Sequence, residues 1–271
     1  MKREIVFLKL GGSLITDKTK PFTTRPTVIA RLCREIAEAR KAKHFELIIG
    51  NGGGSFPHGP AHKFQTHKGY LGPQSVRGFA EVQDAAARLN RIVVNALLSA
   101  GVNACSIHPS AGAIARESRI VKWDLTPLKK ILELGLVPCV YGDVAIDEKR
   151  GMCILPTEEI FAFLAEELKP NRIVVAGEVD GVFAGNPNEA AAGIAPLVPE
   201  INKKNYAEVS QWLGASRAVA DVTGGMLGKI NKLREIAALT KNTEILVVNG
   251  LAAGRVRDAL LGKSVIGTMI K

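Results

Sequence analysis

The residues able to do chemistry in this chain fall on turns rich in glycine. Lys9-Leu10-Gly11-Gly12-Ser13 ends one apolar run, and Gly50-Asn51-Gly52-Gly53-Gly54-Ser55-Phe56-Pro57-His58 ends another. Glycine lets the main chain take positive φ and bring its N–H groups close to an anion, so such turns can cradle phosphate oxygens. A lysine at the end of a buried run is costly unless an anion meets it, which singles out Lys9. Lys18 follows in a polar loop, and His58 closes the second turn with an imidazole that can act as a neutral or a charged donor. A helix opening just beyond would add its N-terminal dipole. Taken alone, Gly52-Gly53-Gly54 reads first as a flexible turn, so the decision falls to the rest of the chain.

The elements around these turns are legible as periodicity. Residues 5–10 are apolar except for Lys9, the pattern of a strand buried on both faces of a parallel sheet. Pro26 opens a helix to about residue 43, in which Val28, Ile29, Leu32, Ile36 and Ala39 keep helical spacing. A strand at 45–49 completes a strand–helix–strand unit. Both glycine turns then lie at the carboxyl edge of the sheet, where open α/β sheets bind ligands. Residues 62–72 read as irregular. Residues 74–100 read as a helix with Val76, Phe79, Val82, Ala86, Leu89, Ile92 and Val93 in one apolar stripe, and Val76, Phe79 and Val82 are expected at the floor of any pocket there.

Further strands are expected at 104–107 and 137–141, and Gly142-Asp143 adds a third glycine at the same edge. His108 reads as a structural histidine. An edge strand is expected at 120–123 and a hairpin arm at 153–155. Thr157 is expected to cap a helix that carries Glu158 and Glu159 in its first turn. A strand at 172–176 leads to Asp180-Gly181, and Asp221-Val222-Thr223-Gly224-Gly225-Met226 with Lys229 opens the last long helix. The alternation predicts one three-layer α/β/α sandwich with a mostly parallel central sheet. A shift in composition divides it into an acceptor lobe, about 1–170, and a nucleotide lobe, about 171–271.

Composition narrows the classes. No apolar run reaches membrane-span length and the first apolar stretch is too short for a signal peptide, so a cytoplasmic protein is expected. Cys33, Cys105, Cys139 and Cys153 are widely spaced and read as reduced core residues. The net charge of +10 is scattered over helical faces, and aromatics are only 5%, too few for base stacking. The field suits gathering anionic small molecules better than nucleic acid. Known templates fail: Gly262-Lys263-Ser264 lacks the first glycine of a Walker loop, neither glycine turn fits GxGxxG, and HExxH, GxSxG and EF-hand patterns are missing.

The order of motifs that remains resembles the amino acid kinase superfamily. The resemblance rests on Lys9-Leu10-Gly11-Gly12-Ser13, the second glycine turn, Val179-Asp180-Gly181-Val182-Phe183, and Asp221-Val222-Thr223-Gly224-Gly225-Met226 with Lys229. Gly52-Gly53-Gly54-Ser55-Phe56-Pro57-His58, Leu14-Ile15-Thr16-Asp17-Lys18 and Pro156-Thr157-Glu158-Glu159-Ile160-Phe161 are similar to its isopentenyl phosphate kinase branch. Two departures stand out: Pro57 replaces the usual glycine before the histidine, and Glu178 the more usual aspartate.

The resemblance implies ATP as donor, Mg²⁺ carried on it, isopentenyl phosphate as acceptor, and a homodimer. It also implies residue roles. Lys9, Lys18 and His58 would be catalytic. Lys9, Gly11, Gly12, Ser13, Gly54, Asp180, Gly225 and Lys229 would serve the nucleotide. Gly53, Gly54, His58 and Gly142 would serve the acceptor. A phosphonate kinase of the fosfomycin-resistance type, another small-acceptor kinase and a nucleotide-sensing binding protein are the alternative readings.

Overall fold

The computed structural model describes residues 4–185, 195–215 and 225–271. The chain opens with β1 (Ile5–Leu10), the short α1 (Gly12–Ile15), α2 (Pro26–Ala42), β2 (Glu46–Asn51), α3 (His58–Lys63) and the long α4 (Pro73–Ser99). Next come β3 (Ala104–Ser106), β4 (Ile114–Arg116), β5 (Arg119–Lys122), α5 (Thr126–Glu133), β6 (Val137–Tyr141), β7 (Asp143–Asp147), β8 (Gly151–Leu155) and α6 (Thr157–Leu168). The last part holds β9 (Arg172–Gly177), β10 (Val182–Phe183), β11 (Leu197–Val198), β12 (Glu200–Ile201), α7 (Tyr206–Ala215), α8 (Gly225–Leu239), β13 (Glu244–Asn249), α9 (Arg255–Leu260) and β14 (Gly267–Ile270).

The main sheet has eight strands in the order β12-β14-β13-β9-β1-β2-β6-β3, parallel except where β13 meets β14. Its strands are apolar on both faces because helices cover both. Side chains alternate along a strand, so Val6, Leu8 and Leu10 enter one core with Leu32, Ile36, Leu89 and Val256, while Phe7 enters the other with Ile160, Phe161 and Ile230. Phe7 and Phe161 hold their rings 5.1 Å apart in a tilted pair. The same alternation decides where Lys9 goes: it shares the face of Phe7, the face on which α6 lies. Lys9 is in register with Gly50 of β2. A Cβ at Gly50 would come within 2.6 Å of Thr157 and 2.7 Å of Phe161, so glycine there lets the start of α6 settle over the sheet edge.

Several expectations need correcting. The stretch 62–72 is not irregular throughout: α3 reaches Lys63 and a 3₁₀ turn covers Thr66–Lys68. The expected edge strand and hairpin arm are β5 and β8 of a second sheet, four strands in the order β5-β4-β7-β8, which periodicity did not separate from the first. Only Gly142 stands between β6 and β7, so the chain passes from one sheet to the other at a single residue. Val76 is 60% exposed rather than part of the core stripe of α4. Thr157 does not cap α6: Pro156 holds that position, and Thr157 Oγ1 instead donates to the Asn51 carbonyl at 2.8 Å. The motif Asp221-Val222-Thr223-Gly224 lies outside the described residues.

Candidate active site

The two glycine turns meet at the carboxyl edge of β1 and β2. Gly52 N–H donates to the Leu10 carbonyl at 2.9 Å, continuing the ladder one residue past the strands. A Cβ on Gly52 would sit 2.7 Å from Gly12 N, and one on Gly12 would sit 2.7 Å from Gly54 Cα. The turns can therefore touch only as glycines. Gly54 also takes φ +55°, and Thr16 fixes it by donating to the Gly12 carbonyl at 2.7 Å while accepting from Ser55 N–H at 3.0 Å. Gly11 N–H is committed to the Ala176 carbonyl at 2.8 Å. Among the described residues no acceptor takes the N–H groups of Gly12, Ser13, Gly53 or Gly54, so these four are open to a ligand.

These turns border a cavity of about 660 Å³. Lys9, Gly11, Gly12, Ser13 and Lys18 line one flank, and Gly53, Gly54, Pro57 and His58 face them. Gly142 closes an edge, its N–H bonded to the Asn51 carbonyl at 3.1 Å. Lys229 reaches the cavity from α8 together with Met226 and Gly228. Ten of the sequence-derived site residues thus share one space. Two do not line it: Asp180, which is ion-paired with Arg255, and Gly225, which begins α8 with φ +63°. Pro57 keeps His58 on the cavity. It takes helical dihedrals (φ −80°, ψ −15°), starts α3, and lays its ring against Gly53, where no Cβ would fit.

The residue that pattern reading passed over is Glu158. The sequence places it in the first turn of a helix, where a carboxylate is unremarkable. The fold places it 8% exposed, in a buried ion pair with Lys9, itself 5% exposed. Burial opposes its charge, but Lys9 beside it and Lys229 nearby outweigh that and hold the Glu158 carboxyl below its ordinary value. Its neighbour Glu159 pairs with Lys232 of α8 at 2.7 Å and accepts Ile120 N–H at 3.2 Å. The first turn of α6 is therefore an acidic post around which lysines of β1 and α8 are arranged. Two glutamates set directly before the apolar run Ile160–Ala165 were the available signal.

A second polar chain supports the second glycine turn. Asn51 Oδ1 accepts from Asn90 of α4 at 2.9 Å, and Ser106 donates to Asn90 Oδ1. His108 Nδ1 lies 2.6 Å from the Tyr141 hydroxyl, the structural role expected for it. Asp143 is 1% exposed, accepts Ser110 N–H at 2.9 Å, and is held above its ordinary carboxyl value by burial. Beyond the turns the cavity becomes apolar, with Ala61, Val82 and Ile154 on its walls, while Val76 and Phe79 do not reach it.

The sequence model of the amino acid kinase family matches residues 4–249. The chain belongs to the amino acid kinase family. It is 34% identical to the isopentenyl phosphate kinase of Methanocaldococcus jannaschii over 275 residues, covering 98% of both chains. It is also 34% identical to the isopentenyl phosphate kinase of Methanothermobacter thermautotrophicus over 274 residues, again with 98% of each chain covered. A solved isopentenyl phosphate kinase structure superposes with a TM-score of 0.84 at 30% identity, covering 99% of this chain and 100% of that one. The mostly parallel sheet and its cavity-bearing edge are thus those of a kinase fold.

Such an edge suits transfer between two anions. Phosphoryl transfer asks mainly for alignment and charge neutralisation, with little covalent chemistry left to side chains. Lysines of β1, of the loop after α1 and of α8, four available N–H groups and an imidazole supply both. Among the described residues no group of three or more His, Cys, Asp or Glu side chains could hold a metal ion.

Proposed function

We propose that this protein transfers the γ-phosphoryl group of ATP to isopentenyl phosphate, giving isopentenyl diphosphate and ADP. The observation that carries the reading is the closure of the two glycine turns upon each other, with Lys9 on one flank, His58 on the other and apolar walls beyond. An acceptor with a phosphate head and a short hydrocarbon tail matches that sequence of surfaces.

The acceptor phosphate already carries negative oxygens at neutral pH, so no general base is required. The obstacle is repulsion between two anions. Lys9 and Lys229 offset it on the nucleotide side, and Lys18, in the loop after α1, stabilises the group in transit. His58 and the Gly53 and Gly54 N–H groups hold the acceptor oxygens, while Gly12 N–H and Ser13 hold those of the donor. Glu158 positions Lys9 and does not itself meet the phosphates. Mg²⁺ would come with the nucleotide and would neutralise part of the phosphate charge. In this reading β1 to α6 form the acceptor lobe and β9 onward the nucleotide lobe. The reading includes a cytoplasmic location, where ATP is available, and a homodimer, which sedimentation at micromolar concentration would show; a monomer there would remove that part.

The test is ADP release with isopentenyl phosphate, dimethylallyl phosphate, fosfomycin and N-acetylglutamate compared side by side. Turnover confined to the prenyl phosphates supports the reading. Turnover of fosfomycin or N-acetylglutamate alone refutes it.

A further inference from the structure

The acceptor side of the cavity does not end in hydrocarbon. β8 links two parts of its wall: at its carboxyl end Leu155 and Pro156 lead into Glu158 beside Lys9, and before its amino end stands Arg150. Five strand residues span roughly 16 Å. A five-carbon tail, with about 1.3 Å of reach per bond, covers roughly 6 Å. Space therefore remains beyond Ala61, Val82 and Ile154, and it is bordered by Arg150, His67, Ser118 and Glu117, whose carboxylate is already paired with Lys149 at 3.1 Å.

Arg150, His67 and Ser118 are joined but not satisfied. Arg150 donates to Ser118 Oγ and, through Nη2, to the main-chain carbonyl of His67 at 2.7 Å. No carboxylate among the described residues pairs with its guanidinium, although it is half-buried. The Asp147 carboxylate in the same turn is occupied by the N–H groups of Glu117, Ser118, Lys149 and Arg150. His67 Nδ1 is buried and has no hydrogen-bond partner. A cation without a counter-ion and a buried ring nitrogen without a partner, on one wall of a substrate cavity, match an oxygen-bearing ligand group.

We propose that Arg150, His67 and Ser118 form a second polar subsite, which takes a carboxylate at the far end of an acceptor whose phosphate head sits in the glycine clamp. This rests on the kinase reading above and extends it to acceptor phosphates with an apolar middle and an anionic end. The same groups select against long hydrocarbon tails, which would strip water from Arg150 and return nothing.

The test compares phosphooxyoctanoate with n-octyl phosphate as acceptors for the full chain, with isopentenyl phosphate as reference. The carboxylate should be favoured in kcat/KM by on the order of 10-fold or more, and Arg150→Met should abolish the preference. A ratio at or below one in the unmodified protein overturns the subsite, as does a preference that Arg150→Met leaves intact. Should Arg150→Met lose its thermal transition, His67→Leu carries the test, because the Arg150 bond is to the His67 main chain; it should lower the ratio several-fold, and an unchanged ratio overturns the assignment. Failure to turn over isopentenyl phosphate itself would overturn the kinase reading, and so is distinguishable from failure of the subsite.

Discussion

Replacing Glu158 by Gln keeps the shape of the first turn of α6 and removes the charge that Lys9 pairs with inside the protein. Breaking a buried pair from one side costs about 3–5 kcal/mol. For a chain of this size each kcal/mol moves Tm by about 2–4 °C, so the variant should melt roughly 6–20 °C lower. The pH dependence has a definite sign. The folded Glu158 carboxyl lies below its ordinary value of 4.5, so the stability it contributes is full above that pH and is lost as pH falls through the lower folded value. Glu158→Gln should lose this share of the acid sensitivity, narrowing the gap to the parent protein below pH 4.5. Lys9 should then lean on the nucleotide: MgATP should raise the Tm of the variant by more than it raises that of the parent, while kcat falls on the order of 10²-fold because the lysine is no longer positioned. Differential scanning fluorimetry across pH and nucleotide concentration, paired with steady-state ADP release, reads all of these. An unchanged Tm together with an unchanged kcat would refute the assignment of Glu158 as the post for Lys9.

Three further outcomes follow from the same geometry. His58→Ala should lower kcat with isopentenyl phosphate by on the order of 10²- to 10³-fold with little change in Tm; unchanged turnover and unchanged acceptor KM would remove His58 from the site. Gly54→Ala meets both a positive φ and Gly12 O, 2.7 Å from the new Cβ, so denaturant unfolding should show a loss of at least about 2 kcal/mol, and a loss below half of that would contradict the packing of the two turns. Ile154→Phe narrows the apolar wall and should raise the KM for isopentenyl phosphate about 10-fold while leaving the KM for ATP within error; equal effects on both would place Ile154 elsewhere.

Much of the fold was legible because local pattern and global position agree in the main sheet. The run at β1 is apolar on both faces, and a lysine in it could be read as functional because burial makes an unmet charge costly. The glycine turns were legible for the same reason, since their residue types are forced by close approach. Glu158 was not legible, because a glutamate in the first turn of a helix is locally favourable wherever that helix goes. Only the placement of α6 over Gly50 brings it to Lys9. The second sheet escaped because β4, β5, β7 and β8 have three to five residues each and one residue separates β7 from β6. Val76 was misplaced because the covered face of the first turns of α4 is carried by the small residues Ser75 and Gly78, the latter packed against Phe64 and Thr66, which leaves Val76 on the exposed side.

Phosphorus-31 NMR of the complete reaction tests the account most directly. With ATP, Mg²⁺ and isopentenyl phosphate, the monophosphate resonance should disappear as paired, mutually coupled diphosphate doublets grow alongside those of ADP, in equal amounts. Appearance of ADP with inorganic phosphate and no new diphosphate would contradict it, because a clamp that holds the acceptor phosphate against the donor must transfer to that phosphate and not to water.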